Sequence, residues 1–98
     1  MTTTMIVFQF DGFVAEHEDF IPFKARIEAP VAGSERDYFC VVAAQPLLGT
    51  AKRIFGYDAA QAIGLALDFL RTITSGHRIY DADKSVVDFT DHLKKGRT

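Results

Sequence analysis

The chain has 98 residues, a length that fits one domain with one modest hydrophobic core. Hydrophobic residues make up 48% of it and the formal net charge is −2, which excludes a wholly disordered chain and a general attraction to nucleic acid. Because there is neither an apolar run of the ~20 residues that span a membrane nor a signal-peptide pattern, we expect one cytoplasmic domain over 1–98, with 1–4 and 94–98 frayed.

The first half of the chain is typical of β-strands. Asp11-Gly12 predicts a turn between two short strands. Residues 23–28 alternate apolar and polar side chains, as a half-buried strand does, whereas residues 38–44 are apolar on both faces, which predicts a central strand. The predicted strands are 5–10, 13–18, 23–28, 38–44 and 51–55, with a short one at 78–80.

A single long helix is predicted over residues 58–75. Asp58 is a good N-terminal cap, and Gln61 three residues later completes a capping-box pattern. Gly76 stands where a left-handed residue commonly ends a helix. Between these signals runs an apolar face at helical spacing, made of Ile63, Ala66, Leu67, Leu70 and Ile73.

This order of elements predicts an α+β fold. We expect a mostly antiparallel β-sheet of four to five strands, with the long helix packed on one face. A short C-terminal element follows, and residues 85–93 fit both a helix and a strand. Cys40 is the single cysteine, so no intramolecular disulfide is expected, and its apolar neighbours predict a buried structural thiol.

The histidines raise an enzyme or metal site as an alternative. His17 lies among three acids, but this cluster is more typical of an acidic contact surface than of a metal site. His92 follows Asp88 and Asp91 in a pattern that lacks the flanking ligands of a zinc motif, and His77 belongs to the turn after the helix. We therefore expect no catalytic residue, no metal and no cofactor.

Four features occur in a fixed order along the chain. They are a strand ending at Pro30, a strand carrying Cys40, a strand ending at Gly56, and a helix that opens with Asp-x-x-Gln-Ala at Asp58. Together they resemble a group of small, mostly uncharacterised bacterial single-domain proteins, and the resemblance covers residues 14–80. Some similar proteins look like immunity proteins, which block a toxin made by the same bacterium, so the resemblance implies a cognate toxin as partner.

Charge and aromatic content also favour a binding protein. Residues 1–49 hold seven acids and three bases, a balance of −4, and the five Phe residues between 8 and 23 are more than a small core buries easily. We therefore expect a non-catalytic protein-binding module, immunity-like or antitoxin-like, with a small metal-binding or hydrolytic enzyme as the alternative. A homodimer through the central strand or the N-terminal hairpin is compatible with this function, whereas nucleic-acid and membrane binding are not expected. The candidate partner-binding residues are Glu16, Glu18, Asp19, Glu35 and Asp37.

Overall fold

The computed structural model of the protein describes residues 5–87. Within this range it has one mostly antiparallel sheet with one helix packed against it, which confirms the predicted α+β fold. The sheet has more strands than the four to five expected, because three two-residue strands add to four long ones. The elements are β1 Ile6–Glu16, β2 Asp19–Glu28, β3 Val31–Ala32, β4 Tyr38–Gln45, β5 Lys52–Gly56, α1 Ala59–Thr74, β6 Ile79–Tyr80 and β7 Val86–Val87.

The pairing of the strands places β4 inside the sheet and β5 at its edge. The order across the sheet is β5, β4, β2, β1, β6 and β7. The short strand β3 pairs with the start of β4, on the same edge of β4 as β2. Val42 of β4 pairs with Ile27 of β2 and also with Lys52 of β5, so both edges of β4 are used inside the chain. The predicted central strand therefore cannot pair with a second copy. Within residues 5–87, β5 is the outermost strand on that side.

One face of the sheet forms the hydrophobic core with α1. The helix packs over β4 and β5, and alternate residues of the strands point towards it. Residues 23–28 follow the predicted alternation, with Phe23, Ala25 and Ile27 buried and the residues between them exposed. The buried apolar set is Phe8, Phe10, Val14, Phe23, Ala25, Ile27, Cys40, Val42, Ala44, Ala62, Ala66, Leu67, Leu70 and Ile79.

The opposite side of the sheet, which we call the open face, is covered by no element within residues 5–87. It presents the other half of each strand's side chains, among them several aromatic residues. The predicted excess of aromatics is visible here, because Phe20 is 43% exposed while Phe8, Phe10 and Phe23 are buried. The open face also carries Phe13, Lys24, Arg26, Phe39 and Phe55.

The predicted turn at Asp11-Gly12 is wrong, because β1 runs without a turn from Ile6 to Glu16. Gly12 instead has a packing role. A Cβ at this position would collide with the carbonyl oxygen of Tyr80, so only glycine lets β6 lie this close to β1. The actual turn is His17-Glu18, six residues later, and it joins β1 to β2.

The ends of α1 agree with the sequence. The Gln61 backbone N–H donates to Asp58 Oδ1 at 2.7 Å, as expected for the cap. The Gln61 side chain reaches one residue further back than the capping box predicts, since its Oε1 accepts from the Tyr57 N–H at 2.6 Å. Gly76 has the predicted left-handed conformation, with φ +85°. No helix within residues 5–87 has the length and apolar character needed to cross a bilayer.

The ambiguous segment 85–93 is only partly described. Val86 and Val87 form β7, which is the strand option. Residues 88–93 lie outside the described residues, and the metal pattern of Asp88, Asp91 and His92 lies there with them.

Candidate partner-binding surface

Three of the five candidate residues lie together at the end of a hairpin. Glu16 pairs with Asp19, and His17 and Glu18 form the two-residue turn between them. His17 adopts φ 59°, the left-handed conformation that a tight hairpin turn requires. All four residues are exposed, so three carboxylates project into solvent from one turn. We call Glu16–Asp19 the acidic tip.

The other two candidates, Glu35 and Asp37, lie at the far end of the sheet. They belong to the loop between β3 and β4, which the chain reaches only after running the full length of β2. Because a strand advances about 3.3 Å per residue, the ten residues of β2 separate the two groups by about 30 Å. The five candidates therefore form two separate surfaces rather than one.

An aromatic cluster lies beside the acidic tip on the open face. The ring of Phe20 makes edge-to-face contacts with Tyr80, at 4.9 Å between centroids, and with Phe13, at 6.3 Å. The Lys84 Nζ lies over both Phe rings, 5.2 Å from the Phe20 centroid and 5.7 Å from that of Phe13. Phe20 follows Asp19 in β2, so the cluster lies at the same end of the sheet as the tip. Because successive residues of a strand point to opposite faces, Phe20 lies on the open face, whereas Asp19 and its partner Glu16 point to the helix side.

A second aromatic group occupies the opposite side of the open face, on β4 and β5. The rings of Phe39 and Phe55 lie 5.5 Å apart, and the Arg53 guanidinium lies 5.1 Å from the Phe39 centroid. Phe55 is 51% exposed, and Tyr57, just after the strand, is 85% exposed. Sequence analysis missed this group. The alternation of Arg53 and Phe55 on a short strand next to a central one was the available signal.

A shallow groove of about 360 Å³ adjoins this second group. Asp37 lines it together with side chains from the end of β5 and from the start of α1. The Asp37 Oδ1 atom is buried and has no hydrogen-bond partner within the described part of the chain. A buried carboxylate oxygen without a partner favours a cationic group nearby. The residues lining the groove are Asp37, Phe55, Gly56, Tyr57, Gln61 and Leu65.

For the alternative function, a small enzyme or metal protein, the described structure brings one His–carboxylate pair into the same groove. His77 and Glu16 line the same groove of about 280 Å³, below the acidic tip. Among residues 5–87 there is no group of three His, Cys, Asp or Glu side chains that could hold a metal ion. A single His–carboxylate pair is a weak basis for catalysis, because a general base also needs a positioned reacting group or a further ligand.

Cys40 is buried in the core, as predicted, and desolvation raises the pKa of its thiol above the ordinary value of 9.0. We expect iodoacetamide at pH 8 to leave the native protein unmodified and to alkylate the urea-unfolded chain, measured by intact mass. Because the folded thiol has the higher pKa, its contribution to stability is complete below the unfolded-state value and is lost as pH rises towards the folded-state value. Rapid alkylation of the native chain would contradict this burial.

The chain matches no family model, and comparisons with curated proteins and with solved structures find no match. The resemblance to immunity proteins therefore stays a prediction. The geometry alone identifies two exposed surfaces at opposite ends of the sheet. One is the acidic tip with its aromatic cluster, and the other is β5 with the Asp37 groove.

Proposed function

We propose that the protein is a non-catalytic module that binds another protein with the acidic tip and the adjacent aromatic cluster. Its partner is a cognate bacterial toxin, and the protein acts as an immunity or antitoxin-like factor in the cytoplasm. The observation that carries the proposal is Phe20, a large apolar side chain that is 43% exposed, that contacts two other rings and that lies at the end of the sheet which carries the acidic tip.

This surface has the composition of a protein interface rather than of a small-molecule site. Interfaces concentrate their binding energy in a few aromatic anchors, which are surrounded by a polar rim that excludes water. Here Phe20 is the anchor, with Phe13 and Tyr80 supporting its ring. The acidic tip on one side and Lys84 on the other form the rim. An anchor of this kind is worth about 2 kcal/mol or more when it is truncated, which is roughly 30-fold in Kd.

The negative charge of the acidic tip favours a partner whose binding surface is positively charged. Glu16, Glu18 and Asp19 are exposed and contiguous, so they attract a basic surface and speed its approach. A toxin that acts on nucleic acid carries such a surface, because it must bind phosphate groups. An acidic protein that covers this surface blocks access of the nucleic acid. Rim charges act mainly on the association rate and are screened by salt.

The test is capture of a partner from the native bacterium by the tagged protein, followed by mass spectrometry. We expect one stoichiometric partner with the wild-type chain. Phe20→Ala is expected to reduce its affinity by about 30-fold, the effect of losing an anchor. Phe55→Ala is the matched control, since it removes a ring that is 51% exposed, against 43% for Phe20, at the other side of the open face. Equal capture by wild type and Phe20→Ala would overturn the proposal.

The charges are tested with the same captured partner. Neutralising the tip as Glu16→Gln, Glu18→Gln and Asp19→Asn should slow association and remove most of its dependence on salt. Glu35→Gln, at the distant loop, is the control and should leave the association rate unchanged. A larger effect of Glu35→Gln than of the tip variant would place the interface at the loop instead.

A further inference from the structure

β5 is a short strand with one unused edge. It pairs with β4 along Lys52–Gly56, and no other strand within residues 5–87 lies on its far side. The backbone N–H and C=O groups that point away from β4 are therefore open to another strand. Such an edge is usually protected by short length, charged side chains, a bulge, a proline or a covering element. β5 has five residues and carries the charges of Lys52 and Arg53, but it contains no proline, its pairing register with β4 is regular, and no strand within residues 5–87 lies on its far side.

The side chains of β5 are arranged so that the strand complements itself. Its first two residues, Lys52 and Arg53, are cationic, and its far end carries Phe55 and the groove with Asp37. When two copies pair antiparallel, the start of one strand meets the end of the other. Cations then face aromatic rings and a carboxylate on both sides of a twofold axis, so each favourable contact is made twice.

One register satisfies this arrangement along the whole strand. Residues that face each other on paired strands must point to the same side of the sheet. For two identical antiparallel strands, the twofold axis must therefore pass through a residue and not between two residues. Placing it at Ile54 pairs all five residues of β5 and sets Arg53 opposite Phe55 of the second copy. The Arg53 guanidinium already lies over the Phe39 ring, so the pairing brings it a second aromatic neighbour on the open face.

On the helix side, the same register brings a cation to the groove that Asp37 lines. Lys52 of the second copy stands opposite Gly56, and Gly56 lines the groove that contains Asp37. Asp37 contributes a carboxylate to the lining of this groove, and the lysine ammonium of the second copy supplies a charge of the opposite sign. Leu65, 41% exposed on the same groove, gains cover from the second copy.

We propose that the protein forms a twofold-symmetric homodimer in which β5 pairs antiparallel with β5 of a second copy, giving one continuous sheet. This inference does not rest on the proposed function, because the acidic tip lies at the opposite end of the sheet and stays exposed in the dimer. The predicted homodimer thus uses neither the central strand nor the N-terminal hairpin, but β5, the outermost strand on its side of the sheet within residues 5–87.

Mass in solution is the first test. Sedimentation equilibrium should give twice the chain mass of 10.9 kDa for the wild type. Arg53→Glu should weaken the dimer at least tenfold, while Lys24→Glu, the same charge change on the open face of β2, should leave it intact. Circular dichroism checks that both variants are folded. A wild-type chain that stays at 10.9 kDa at high concentration overturns the proposal.

Cysteine cross-linking tests the register independently of affinity. Arg53→Cys and Phe55→Cys proteins, when mixed and oxidised, should form a disulfide between copies, because the two positions face each other. Each variant alone should cross-link at least tenfold less, since its cysteines are diagonal, about 7–8 Å apart between side chains and beyond disulfide reach. Wild type, whose Cys40 is buried, is the blank. Equal cross-linking in all three samples would overturn the register.

Discussion

Replacing Phe23 by alanine is expected to lower the free energy of unfolding by about 3–5 kcal/mol, the range for deleting a fully buried aromatic side chain. Phe23 has no exposed surface, and it lies on β2, where it pairs with Gly12 of β1 and directly precedes the residues that pair with β4. Its ring packs against Phe10, with the centroids 6.1 Å apart. The loss combines the lost burial of the ring with the cavity left in the hydrophobic core.

The measurement is urea unfolding of the wild type and the variant, followed by circular dichroism. Phe20→Ala is the matched control, because it removes the same ring three residues earlier on the same strand, but from a site 43% exposed. We expect that control to cost less than about 1 kcal/mol, as exposed substitutions usually do. The two variants also separate stability from binding, since Phe20→Ala should bind the partner about 30-fold more weakly and keep the fold. Similar costs for both would contradict the burial pattern of β2.

Replacing Gly56 by alanine is expected to cost about 2–3 kcal/mol, near the upper end for overpacked sites. Gly56 ends β5 and faces the first turn of α1. A Cβ built there lies 2.5 Å from the Ala62 backbone nitrogen and 2.9 Å from its Cα. These are backbone atoms, so no change of rotamer relieves the contact, and either the helix or the strand must move.

Gly49→Ala provides the control for Gly56→Ala, since an added Cβ at Gly49 meets no atom within 4 Å. That change should be neutral or slightly stabilising, because alanine restricts the unfolded chain more than glycine does. Urea midpoints of the two variants give the comparison. The Gly56 variant should also weaken the proposed β5 dimer, because its clash displaces the end of the pairing strand. Equal midpoints would show that the helix does not approach β5 as closely as described.

The candidate site could be anticipated only in part. The acids of the tip were identified correctly as a contiguous exposed group, because neighbours in sequence stay neighbours in a turn. The excess of aromatics also indicated that some rings would be exposed, and Phe20 is one of them. The grouping of Glu35 and Asp37 with the tip did not hold, since their distance depends on the length of β2 and not on their charge.

The sequence by itself determined the elements whose signals are local. The helix followed from Asp58, Gln61, Gly76 and the apolar spacing between them, because caps and periodicity act within a few residues. Only the tertiary structure decided that Asp11-Gly12 stays in a strand, since the reason is the carbonyl of Tyr80, distant in sequence. It also decided which strand has a free edge. Strand pairing joins residues far apart in the chain, and hydrophobic periodicity carries no information about partners.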